Sequence, residues 1–147
     1  MFSDDRTQMR RTFAEAWRKR LQGEPLTPLE AQIADLVAEH PEYHALLEAP
    51  GEQLQRDYLP EAGESNPFLH LAMHLGIREQ LATGRPPGVA ETHSRLARRL
   101  GDAHEAEHRM MECLARALWE AQRSQRPPDE AGYAECLKRL LGVRSQN

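Results

Sequence analysis

The sequence predicts an all-α fold, a bundle-like arrangement of five or six helices within one domain spanning residues 1–147. Three observations carry this. Apolar residues recur at i, i+4 spacing in one segment after another. Prolines and glycines fall where segments begin and end rather than inside them. No run keeps the alternation of a strand, and nothing repeats with a fixed period.

The first helix spans about residues 4–21, with Met9, Phe13, Trp17 and Leu21 as its apolar stripe and Gly23 as its stop. Thr27, Pro28 and Glu30 then give a cap, a first-turn proline and the capping-box carboxylate of a second helix, whose core face is Leu29, Ile33, Leu36, Val37 and His40. Pro41 disfavours helical geometry at His40, so Pro41 to Leu47 reads as a short continuation. From Pro50 to Ser65 the chain is polar and irregular, a loop with at most one helical turn. Asn66-Pro67 opens a helix that Gly84 closes near Thr83. A shorter helix with Val89, His93, Leu96 and Leu100 follows Pro86-Pro87-Gly88. Asp102 caps the longest helix, about 103–124, with Met111, Ala115, Leu118 and Trp119 as its expected core face. Asp129 caps a last one carrying Tyr133, Cys136, Leu137, Leu140 and Leu141.

A chain that is 39% hydrophobic and 29% charged, with net charge −4, lacks the basic balance of a nucleic-acid binder and the bias of a disordered tail. The cluster Arg10-Arg11 and Arg18-Lys19-Arg20 is interrupted by acidic residues and reads as a solvated helix face. Neither nucleic acid nor a membrane is an expected partner. A homodimer suits a small apolar-faced bundle, although nothing specifies one. Met1 to Arg6 carries acidic residues and no apolar stretch follows, which argues against export and for a cytoplasmic protein. On that basis Cys113 and Cys136, outside any Cys-x-x-Cys spacing, are expected as two free, at least half-buried thiols.

The histidines are the most informative feature. Seven histidines would form about 0.3 i,i+4 pairs at random, yet His40/His44, His70/His74 and His104/His108 all have that spacing. Two imidazoles one helical turn apart share a face. His70 and His74 share an arc with Ile77 and Leu81, and His104 and His108 with Met111, Ala115 and Trp119, so both pairs are expected to face inward. A buried imidazole needs partners for both nitrogens, and a divalent transition metal, zinc, iron or manganese, is one such partner. The expected ligands are His70, His74, His104 and His108, with Glu112 as a further ligand or as an acceptor orienting a ring. The competing expectation is a non-enzymatic helical interaction module whose histidines are polar packing. His40 and His44 straddle Pro41 and are expected to serve the helix end, and His93 is a lone packing or surface histidine.

His104-Glu105-Ala106-Glu107-His108 matches His-Glu-x-x-His in form, but no third ligand or strand accompanies it, so peptidase chemistry is not expected. Glu105-x-x-His108 is half of a carboxylate-rich di-iron motif whose counterpart is missing, since Pro67 stands where the second glutamate would be.

Several blocks together resemble the bacterial domain-of-unknown-function family 1841. They are Glu15-Ala16-Trp17-Arg18, Gly23 to Glu30, Glu39-His40-Pro41-Glu42-Tyr43-His44, Asn66-Pro67-Phe68-Leu69-His70 through Gln80, His104 through Leu114, and Leu118-Trp119-Glu120-Ala121-Gln122. The resemblance implies a small cytoplasmic bacterial protein and carries no catalytic or binding residue onto this sequence.

Overall fold

The computed structural model describes residues 2–58 and 66–142. Among these the all-α expectation holds, with seven α-helices and no strand. They are α1 (Phe2–Gln22), α2 (Pro28–Ala38), α3 (His44–Glu48), α4 (Pro67–Thr83), α5 (Val89–Leu100), α6 (Ala103–Ser124) and α7 (Glu130–Leu140). The count exceeds five or six because Pro41 does not merely extend α2. It opens a 3₁₀ turn, Pro41–Tyr43, after which α3 is a separate helix. A second 3₁₀ turn, Gly51–Leu54, lies in the expected 50–65 loop, of which 59–65 fall outside the described residues. The chain divides into two compact units, Met1–Leu75 and Gly76–Asn147.

In the first unit, Phe13, Ala16 and Trp17 of α1 pack with Ile33, Ala34, Leu36 and Val37 of α2, Leu47 of α3, and Phe68 and Leu71 of α4. Met9 and Leu21, the expected ends of the α1 stripe, are exposed, and Arg10 takes a buried place instead, only 1% accessible. Its Nη1 donates to the backbone carbonyls of Gln53 (3.0 Å) and Arg56 (2.8 Å), and its guanidinium lies 4.8 Å from the Phe68 ring centre. The solvated basic face therefore excludes Arg10, which ties α1 to the 51–56 segment. The α2 capping box forms as expected: Glu30 N donates to Thr27 Oγ1 (3.2 Å) and Thr27 N to Glu30 Oε1 (2.9 Å).

In the second unit, Ile77, Val89, Leu96, Met110, Tyr133 and Leu137 are buried. Gly76 of α4 faces Leu114 of α6, whose Cδ2 would lie 3.4 Å from a Cβ at position 76, so a bare backbone lets the helices approach. The core face of α6 differs from the expected one. Ala106, Met110, Met111 and Cys113 are buried, while Leu118 and Trp119 are exposed, Trp119 by 58%. The helix carries apolar residues on more than one arc, and α5 and α7 cover the arc through Met110 and Cys113. That arc brings Cys113 to Cys136 of α7, and the two are joined in a disulfide with Cα atoms 5.7 Å apart. The expectation of free thiols is corrected accordingly. Its error was to judge pairing by sequence spacing, whereas helix packing supplies the required Cα separation.

Candidate metal centre

The residue before a proline avoids helical geometry, and His40 obeys, with φ −125° and ψ 69°. Leaving α2 here turns its ring back over the end of the helix. Nδ1 lies 2.7 Å from the Leu36 carbonyl oxygen. Only an N–H can donate to that oxygen, so Nδ1 carries a proton and Nε2 is the ring nitrogen turned toward α4. His44 acts similarly from α3, its Nε2 donating to the Val37 carbonyl at 2.7 Å while its ring lies 4.5 Å from that of Trp17. Both rings satisfy last-turn carbonyls of α2, the helix-end role expected of them.

His40 also does something the sequence reading did not assign to it. It is 2% exposed, and its Nε2 lies 3.2 Å from Nε2 of His70 on α4. The buried ring of His74, one turn along α4, lies 5.1 Å from His40 and 5.9 Å from His70, centre to centre. Three imidazoles of the first unit thus converge. Tyr43 stacks on His40 at 5.5 Å as one wall. Burial, with a smaller contribution from Glu42, pushes the Tyr43 phenol above its ordinary pKa, so the hydroxyl stays neutral.

The geometry suits a metal ion. Two nitrogens each about 2.0–2.1 Å from a tetrahedral zinc stand about 3.3–3.4 Å apart, close to the His40–His70 separation. The hydrogen bond to Leu36 is the outer contact that fixes the tautomer and aim of a ligating imidazole.

In the second unit, Asp102 caps α6 by accepting from the backbone N–H groups of His104 (2.9 Å) and Glu105 (3.2 Å). This start places His104 in the first turn and His108 one turn later, half-buried, with ring centres 4.4 Å apart. Glu105 faces Nδ1 of His108 at 3.7 Å and Arg109 at 3.2 Å. Glu112 is exposed. Glu107, which the sequence reading passed over, is buried, 3.0 Å from Arg78 Nε and 3.7 Å from His93 Nε2. His93 is thus a packing histidine beside an ion pair. The i,i+4 spacing flagged His70, His74, His104 and His108. His40 was flagged too but assigned only to the helix end, because its second role depends on the turn at Pro41.

The described residues include a histidine group that could hold a metal ion. None of their helices is long and apolar enough to cross a membrane. No curated protein and no solved structure matches the chain. One family pattern does match, over residues 5–139, and the chain belongs to that family, the domain of unknown function DUF1841.

Proposed function

We propose that this protein binds a divalent transition-metal ion, zinc, iron or manganese, through the imidazoles of His40, His70 and His74, which converge within the first unit. The observation that carries the reading is the His40 ring. Its Nδ1–H is committed to the Leu36 carbonyl, so its Nε2 is the ring nitrogen aimed at the space shared with His70 and His74. An all-imidazole set suits first-row transition metals over magnesium or calcium, which prefer oxygen. Relative to the set read from sequence, His40 enters as a ligand beside His70 and His74, while His104 and His108, which form their own pair in the second unit, and the exposed Glu112 are not included.

The test is metal analysis of the full chain purified without an affinity tag and loaded with zinc, iron or manganese. Near one equivalent is expected, falling below about a tenth on alanine substitution of His40, His70 or His74. His44→Ala, whose ring donates to the Val37 carbonyl, should leave occupancy unchanged. Metal-free protein, indifferent to added ions, would refute the proposal. It would favour a helical interaction module, for which the exposed Leu118 and Trp119 of α6 are the specific observation.

A further inference from the structure

Outside the histidine cluster, the chemistry of the second unit gathers at the Cys113–Cys136 disulfide between α6 and α7. The bond lines a surface cleft of about 490 Å³ whose wall carries three guanidinium groups, those of Arg116, Arg126 and Arg139. Two carboxylates also line it, and both have local partners. Glu120 pairs with Arg123 at 3.0 Å, and Asp129 accepts from the Gly132 backbone N–H at 3.1 Å as the cap of α7. The two cysteines differ in exposure, since Cys113 is 2% exposed and Cys136 is half-buried. An accessible disulfide in a cleft of excess positive charge is the setting in which cysteines react selectively with anionic thiols.

We propose that this cleft is a thiol–disulfide exchange site that takes small anionic thiols of the glutathione class. The incoming thiolate attacks Sγ of Cys136, the more exposed cysteine, and forms a mixed disulfide there. The Cys113–Cys136 bond breaks, and its electron pair leaves with Cys113 Sγ, which takes up a proton from solvent. A second thiolate then attacks the small thiol's sulfur in the mixed disulfide and releases Cys136. The chain gains two electrons and two protons overall, and two thiols become one small disulfide. The arginines act on the approach, drawing carboxylate-bearing thiols into the cleft.

The test uses the full chain, air-oxidised and free of reductant. Rates of reduction by glutathione and by neutral 2-mercaptoethanol are compared, each divided by its rate with a small uncharged disulfide. Glutathione is expected to be favoured about tenfold, and the preference should vanish in high salt and in the Arg116→Ala/Arg126→Ala/Arg139→Ala variant, which keeps both cysteines. Acid-quenched intermediates should carry glutathione on Cys136, and Cys113→Ser should form the same adduct with oxidised glutathione. Should Cys113→Ser not fold, the arginine variant and the quenched wild type decide alone. A disulfide reduced only after denaturation, equal normalised rates for the two thiols, an adduct on Cys113, or two thiols that persist in glutathione disulfide would each overturn the proposal.

Discussion

Single residues depart furthest from what their type and spacing imply. Arg10 belongs by sequence to a basic run, yet it is buried and bridges to the carbonyls of Gln53 and Arg56. Its spacing three before Phe13 puts it on the inner arc of α1, and an arginine can occupy such a place because its planar fork satisfies several acceptors at once. Arg10→Ala should cost about 2–3 kcal/mol, and Arg10→Lys most of that, because one ammonium cannot reproduce the fork. Urea unfolding followed by fluorescence of the buried Trp17 checks this, and losses below about 1 kcal/mol would contradict it. The histidines show the complementary case. His70 and His74 are legible as candidates because α4 is regular, whereas His40 depends on a local backbone turn that spacing does not encode. His44→Ala removes the ring that packs tilted against Trp17 and its bond to Val37 O. It should destabilise the apo protein by about 1 kcal/mol without changing metal occupancy, a separation of effects that a ligand would not show.

Helix ends were the most legible elements, because a cap needs only a few neighbouring residues. Thr27, Asp102 and Asp129 all cap where their side chains predict. Thr27→Ala should lower stability by about 1 kcal/mol, measured as a shifted urea midpoint at unchanged slope. The same box sets a pH dependence. The backbone N–H of Thr27 first, and the Lys19 ammonium next, hold the Glu30 carboxyl below its ordinary range. A carboxyl whose folded pKa is depressed stabilises the fold above its unfolded pKa, and that contribution disappears as pH falls through the lower folded value. Glu30→Gln should therefore flatten the acid limb of the stability profile, and a limb identical to wild type would remove Glu30 from its causes. Helix faces were less legible than helix ends. In α6, Trp119 and Leu118 looked like core by type, but which arc is covered depends on α5 and α7, and that information is not local. The same packing hid the disulfide, since cysteines 23 residues apart meet only when α7 folds back along α6.

At the scale of the whole molecule, the sequence patterns fix the all-α class and the family match extends over nearly the full chain, yet neither specifies an activity. What the fold adds is a disulfide and the histidine cluster proposed to hold a metal, and the two respond to different reagents. Closing the 23-residue separation between Cys113 and Cys136 should contribute about 3 kcal/mol by restricting the unfolded chain. A metal ion at 100 times its Kd should contribute about 2.7 kcal/mol, which for a protein of this length raises Tm by roughly 5–10 °C. A chelator should remove only the metal increment, and dithiothreitol only the disulfide one, so melting curves with neither, either and both reagents separate them. His74→Ala should abolish the chelator response while keeping the response to reductant, and Cys136→Ser should do the reverse. If His74→Ala still melts lower with chelator, any bound metal lies somewhere other than the cluster around His40, and the orientation of that ring is then a property of the α2 end alone.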